Sequence, residues 1–285
     1  MIILNGKEYS RELINSYKNK VEILKSKKII PSICVILVGN NYESELYVKM
    51  KKRECEQIGI KFTLFKYNET DNEEDIINKI NECNNNIYVH GILVQLPLPK
   101  HMSNENIINT IDPKKDIDGL TSYNSGALIH GISTYAPCTP VGCIELLNKY
   151  DIHVNGMNVT IIGTSKLVGI PLSQLLLNLG CTITLCNLNT IDIKKHTIGA
   201  DMVICCCGVS NMVKGDWIKN DVIIIDIGIN KKEGSNKITG DVDFNSVKDK
   251  VSYITPVPGG IGPMTIAVLI KHVIKAAEYF TNHKY

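Results

Sequence analysis

Short apolar runs rich in β-branched residues alternate with longer helical patterns through most of these 285 residues. That alternation constrains the fold more than any other feature. Strands that recur with a helix between them must run parallel, and a parallel sheet hides both faces under helices. In the first half the β-type runs are 33–38, 62–67 and 91–95, with helical patterns at 43–58 and 73–83. In the second half they are 158–163, 182–186, 202–206 and 222–226, with a helix at 169–179 after the first. The chain therefore reads as two α/β domains. Their boundary falls near Pro137-Cys138-Thr139-Pro140, where Thr139 suits a helix cap and Pro140 the first position of a helix reaching about Tyr150. A last helix at about 265–280, apolar on one face, is expected to pack back on the first domain. The asparagines at 78, 81 and 84–86 are a bias in composition, and the chain shows no internal repeat.

Composition narrows the partners. Hydrophobic residues make up 44% of the chain, ample for buried cores, and the formal charge is only +2. So balanced a charge offers no footprint for nucleic acid or an anionic membrane, and a small-molecule ligand fits better. Ten cysteines sit mostly in apolar runs such as Val203-Ile204-Cys205-Cys206-Cys207, without the paired spacing of a zinc site. They read as reduced, buried thiols in a cytoplasmic compartment. No targeting leader and no uncharged stretch of ~20 residues is visible, so no membrane role is expected.

Five segments could carry chemistry. Thr255-Pro256-Val257-Pro258-Gly259-Gly260-Ile261-Gly262-Pro263-Met264-Thr265 places three prolines and three glycines ahead of the last helix. It is either a rigid turn that redirects the chain or one wall of a binding site with exposed amides. Gly163-Thr164-Ser165-Lys166-Leu167-Val168-Gly169 follows a strand and opens a helix, as a dinucleotide-binding turn does. Its glycine spacing is not GxGxxG, however, so a tight turn without a ligand stays open. Tyr47 and Lys51 stand four apart on a helical pattern and share a face. The neighbouring Lys49, Lys52 and Arg53 favour a merely solvated basic surface there. In Lys115-Asp116-Ile117-Asp118-Gly119-Leu120, alternation would aim both carboxylates the same way if the segment is extended, and capping acids in a plain loop are the other reading. Gln95, in Val94-Gln95-Leu96-Pro97-Leu98, ends an apolar strand, where open α/β sheets place ligands.

Taken together and in this order, these segments resemble the bifunctional methylenetetrahydrofolate dehydrogenase/methenyltetrahydrofolate cyclohydrolase family, from about Gly6 to Phe280. The resemblance implies a folate-binding catalytic domain at 1–138, completed by the helix at 265–285. It also implies a Rossmann-type dinucleotide-binding domain at 139–264, with a cleft between the two, and a homodimer. The implied reactions are oxidation of 5,10-methylenetetrahydrofolate to the methenyl form with NADP, and hydrolysis of that product to 10-formyltetrahydrofolate. Carried over by motif, Lys51 is the catalytic lysine, Gln95 contacts it, Tyr47 stacks on or near the folate and Asp118 binds the pterin. Val94, Leu96, Pro258, Gly259 and Gly262 would border the folate. Gly163, Thr164, Ser165, Ile229 and the run Pro258, Gly259, Gly260, Ile261 and Gly262 would line the dinucleotide.

One segment departs from the family pattern. Cys186-Asn187-Leu188-Asn189-Thr190 lacks the basic residues that often hold the 2′-phosphate of NADP, and Thr164 stands where some members have arginine. No acidic residue ends that strand either, so the usual ribose cue for NAD is also missing. NADP is the family expectation and NAD the alternative. A short-chain dehydrogenase also combines Tyr-x3-Lys with a Rossmann turn, but with the turn first, the reverse of the order here. A binding module without chemistry is the remaining rival, and the presence of Lys51, Gln95 and Asp118 argues against it.

Overall fold

The structure is a computed structural model that describes residues 1–132, 134–231 and 238–282. In chain order it forms β1 (Ile2–Ile3), α1 (Gly6–Ser26), β2 (Ser32–Val38), α2 (Tyr42–Gln57), β3 (Lys61–Tyr67), α3 (Glu73–Asn85), β4 (Gly91–Gln95), α4 (Asn104–Asn109) and α5 (Ser122–Ile129). There follow α6 (Cys138–Lys149), β5 (Asn158–Ile162), α7 (Gly169–Asn178), β6 (Thr182–Cys186), α8 (Ile193–Thr197), β7 (Met202–Cys205) and β8 (Val222–Asp226). The chain ends with the short pair β9 (Asn230–Lys231) and β10 (Ile238–Thr239), then α9 (Phe244–Val247), β11 (Val251–Ile254) and α10 (Ile261–Asn282).

The chain divides into two α/β units. The first comprises Arg11–Cys138 and the chain from Ile266 onward, of which residues 283–285 lie outside the described residues. Its three-stranded parallel sheet has the order β3-β2-β4. All seven residues of β2 are buried, as a central strand covered on both faces requires. Fully burying side chains such as Ile33 and Ile36 contributes about 1.5–3 kcal/mol apiece. α1 presents Ile14, Tyr17, Val21 and Leu24 as one buried stripe, an element that the alternation of β-type runs does not announce.

The second unit comprises Thr139–Thr265 with Met1–Ser10. Its six-stranded parallel sheet has the order β1-β11-β8-β7-β5-β6. The first ten residues thus leave the 1–138 domain expected for them. The reason is backbone pairing: Ile2 and Ile3 lie opposite Tyr253 and Ile254, and the Leu4 N–H donates to the Ile254 carbonyl at 2.8 Å.

Two helix starts also differ from expectation. α6 begins at Cys138, so Thr139 lies inside its first turn and its hydroxyl pairs with that of Thr265 at 3.0 Å instead of capping. α10 begins at Ile261, four residues early, because a first turn makes no use of the N–H that Pro263 lacks.

Candidate active site

α2 starts where the Asn41 side chain accepts the Ser44 N–H at 2.9 Å. Its buried residues are Ser44, Val48, Lys51 and Cys55, spaced four, three and four apart. Lys51 is therefore a member of the helix's core stripe and only 8% exposed, whereas Lys49, Lys52 and Arg53 are solvated. Its Nζ donates to Gln95 Oε1 at 3.0 Å. Gln95 ends β4, and its Nε2 donates to the Leu96 carbonyl at 2.9 Å, which leaves Oε1 for the lysine. Tyr47 sits half-buried one turn before Lys51, its phenol pushed up by burial and then by Glu43. Val94 is buried beside Gln95 and Leu96 is half-buried.

The two acids of the next loop divide their work. Asp116 is 1% exposed, and its carboxylate accepts the N–H groups of Leu120 at 3.2 Å and Thr121 at 2.8 Å and the Asn124 amide at 2.9 Å. It shapes the loop. Asp118 instead hydrogen-bonds the Cys138 thiol and feels the charge of Lys51. Burial pushes its carboxyl up; Lys51 and Cys138 pull it back. The segment is not extended, since the Gly119 N–H donates to the Asp116 carbonyl at 3.1 Å and closes a turn over Ile117 and Asp118, so strict alternation does not apply to the two acids.

Sequence reasoning assigned no role to the residues that hold this turn in place. On α10, His272 Nδ1 lies 2.8 Å from the Ile117 carbonyl, which can only accept, so Nδ1 carries the proton. Cys138 Sγ lies 3.4 Å from the same carbonyl. Burial drives His272 down to about 4 and raises the Cys138 thiol well above the ordinary range, so a neutral imidazole and a neutral thiol frame Asp118. Cys138 stands in a motif the sequence displays; nothing local marks His272. A cavity of about 210 Å³ between Ser32, Cys34, Lys61 and Cys83 lies at the amino ends of β2 and β3, away from this cluster.

In the second unit the strand order reverses between β5 and β7, and the crevice outside the carboxyl ends of such strands is where open α/β sheets bind ligands. Gly163 follows β5 with φ +117°, and a Cβ there would fall on the carbonyl oxygen of Cys206 after β7. A Cβ at Gly169 would likewise meet the Gly163 carbonyl. The glycine that falls one position late for a GxGxxG match thus lets α7 approach the turn. Thr164 is half-buried, Ser165 and Lys166 are exposed, and Ser165 Oγ accepts the Val168 N–H at 3.1 Å. Ile229, after β8, is exposed.

The 255–265 segment is fixed by Thr255, whose hydroxyl accepts the Asp226 N–H at 2.7 Å and donates to the Asp226 carbonyl at 3.1 Å. Gly259 has φ +110°, and its carbonyl accepts the Lys7 N–H at 2.8 Å. Pro258 is exposed, while Gly260 and Ile261 are buried, so Ile261 can offer a ligand only its backbone. A Cβ on Gly262 would meet nothing within 4 Å.

These observations define a class. The second unit is a doubly wound dinucleotide-binding fold, and the first sets a buried lysine, an amide and a carboxyl at the end of its own sheet. Residues 4–118 match the model of the tetrahydrofolate dehydrogenase/cyclohydrolase catalytic domain, and residues 137–281 that of the family's NAD(P)-binding domain. The chain belongs to the tetrahydrofolate dehydrogenase/cyclohydrolase family. It is 48% identical over 279 residues to the bifunctional protein FolD of Nitratiruptor, covering 98% of each chain. The crystal structure of the Campylobacter jejuni bifunctional FolD enzyme, methylenetetrahydrofolate dehydrogenase/cyclohydrolase, is similar at a TM-score of 0.96 and 44% identity, covering 98% of this chain and 99% of that one. A Trypanosoma brucei methylenetetrahydrofolate dehydrogenase-cyclohydrolase, solved with NADP and an inhibitor, is similar at a TM-score of 0.95 and 27% identity, covering 100% and 99%. Among the described residues no helix is long and apolar enough to cross a membrane.

Proposed function

We propose that Lys51, Gln95, Tyr47 and Asp118 are the catalytic set of this bifunctional enzyme, with Val94 and Leu96 completing the folate contacts. The enzyme oxidises 5,10-methylenetetrahydrofolate to the methenyl form with NADP and hydrolyses that product to 10-formyltetrahydrofolate. The observation that carries the residue assignment is the buried Lys51 Nζ at 3.0 Å from Gln95 Oε1.

Gln95 Oε1 accepts from Lys51 Nζ at 3.0 Å and so fixes where the amine points. When water adds to the bridging carbon, Lys51 takes one proton and Gln95 keeps the amine aimed; the hydroxyl proton of the adduct then passes to the departing folate nitrogen as the carbon–nitrogen bond opens to the formyl product. Asp118 holds the N–H groups of the pterin, and Tyr47 covers the ring. The oxidation asks less of acid–base groups, because the folate nitrogen lone pair stabilises the cation left when hydride departs.

The residues proposed to hold the dinucleotide are Gly163, Thr164, Ser165 and Ile229, together with the backbone of Pro258, Gly259, Gly260, Ile261 and Gly262. The fit rests on the exposed turn at the switch point and the open space at Gly262. When bound, NADP accepts the hydride. The loop after β6 supports NAD as a second reading: Asn187 and Asn189 spend their N–H groups on Thr190 Oγ1 and Asn187 Oδ1, both at 2.9 Å, and Leu188 is 98% exposed. Steady-state rates with each dinucleotide decide, and a strong NAD preference would overturn NADP.

The chain is further proposed to work as a homodimer in the cytoplasm, where its ten free cysteines stay reduced. A solution mass near 31.7 kDa would contradict the dimer.

Lys51→Met should lower methenyl hydrolysis about 10²-fold or more while folate still binds. The assay follows the near-ultraviolet absorbance of the methenyl species, and undiminished decay would remove Lys51 from the mechanism.

A further inference from the structure

Asp241 follows the β9–β10 pair and is wholly buried. Its Oδ2 accepts the N–H groups of Cys207 at 2.7 Å and Gly208 at 3.0 Å, with the Cys207 thiol at 3.4 Å. Its Oδ1 accepts the Asn230 amide at 2.8 Å. One carboxylate therefore ties the loop leaving β7 to Asn230, where the loop leaving β8 enters β9, both loops starting at carboxyl ends where the sheet presents its ligand crevice. The next residue before the second loop's anchor is Ile229.

The surroundings are cut to admit this group. A Cβ on Gly228 would fall on the Asp241 carboxylate, and one on Gly240 would fall on that of Asp226. Asp226, the last residue of β8, accepts the N–H groups of Gly228, Asp241 and Val242, each at 3.0 Å, and so holds Asp241 in turn. A buried carboxylate is tolerated only when its oxygens are filled, and here the donors that fill them come from the two loops themselves. The thiols cannot act as reactive groups in its place: burial pushes Cys206 up to about 12 and Cys207 up to about 11.

We propose that Asp241 is a positioning residue for dinucleotide binding, acting through the backbone of Cys207 and Gly208 and through Asn230 without touching the ligand. The inference rests on the proposed dinucleotide site of the second unit and adds to it the group that sets its two loops. Loss of the carboxylate leaves both loops without their common acceptor, so the crevice is no longer pre-formed and the ligand must order it on binding.

The test is calorimetric titration of the whole chain with NADP, alongside methenyl hydrolysis, which requires no dinucleotide and uses groups of the first unit. Asp241→Asn should raise the Kd for NADP at least tenfold while hydrolysis stays within twofold. Asn230→Ala, which removes one donor and leaves the carboxylate, should raise Kd by severalfold and carries the test alone if the first variant does not fold. An unchanged Kd in the folded variants overturns the proposal, as does a parallel loss of hydrolysis, which would mark a general structural role. A wild-type chain that binds neither NADP nor NAD would instead overturn the dinucleotide assignment itself, and one that binds only NAD is titrated with NAD in the same way.

Discussion

Asp116 and Asp118 stand two residues apart and answer to different parts of the structure. Asp116 spends its carboxylate on two backbone N–H groups and one side-chain amide, whereas Asp118 faces Cys138 and Lys51. Their substitutions should therefore part company. Asp116→Asn removes charge-assisted acceptors from a buried loop and should cost on the order of 1–3 kcal/mol, read as a lower Tm. Asp118→Asn should leave Tm nearly unchanged and weaken folate binding, read as a raised KM for methylenetetrahydrofolate. Equal losses of Tm in both would return Asp118 to a structural role. The sequence places both acids in one motif, but which of them is free depends on donors at Thr121 and Asn124 and on Cys138. Lys51 teaches the same lesson from the other side. Among Lys49, Lys52 and Arg53 its burial cannot be read from spacing, yet the stripe Ser44, Val48, Lys51 and Cys55 makes it part of the buried face of α2.

At the scale of elements, the 255–265 segment divides its glycines among separate duties. Gly259 supplies a positive φ; a Cβ on Gly260 would stand 2.7 Å from the Pro256 carbonyl oxygen and 2.9 Å from Thr255 Cβ, and Gly262 borders open space. Gly260→Val should consequently lower stability by about 2 kcal/mol or more along with turnover, since backbone must move to admit the side chain. Gly262→Ala should melt like the parent chain and bind NADP several times more weakly. A Gly262→Ala variant with unchanged Kd would make that open space incidental. The stiffness of the segment is legible from its prolines and glycines. The start of α10 at Ile261 is not, because it depends on a helix admitting Pro263 in a turn whose N–H groups have no partners of their own.

At the scale of the whole molecule, the buried titratable groups give the two units opposite responses to acid. His90 and His272 in the first unit are held down to about 4, chiefly by burial. The unfolded chain takes up those protons near pH 6.5, so their contribution is present above that pH and is lost as pH falls toward 4, on the order of 2–3 kcal/mol each. Asp226 in the second unit is raised to about 7, first by burial. The folded form then binds its proton before the unfolded form does, and stability contributed at this site rises as pH falls from about 7 toward 4. Hydrogen exchange at pH 7.5 and pH 5, corrected for intrinsic rates, should show protection falling in first-unit peptides relative to second-unit ones. The reverse order would contradict the burial of the two histidines as the controlling factor.

Alternation of β-type runs with helical patterns determined two parallel α/β units, because the period of apolar residues is a local property that any short window carries. The motifs around Lys51, Gln95, Asp118 and Gly163 were likewise legible, since each is contiguous in the chain. The tertiary structure decided what contiguity cannot encode. It moved the first ten residues to the second unit, with Ile2 and Ile3 paired to β11, and it gave Asp116 and Asp118 different partners. It set His272 on the Ile117 carbonyl from 155 positions away and hung two loops on Asp241. Hydrogen bonds and burial act over a few ångströms of space without regard to separation along the chain, and only the folded chain brings those partners together.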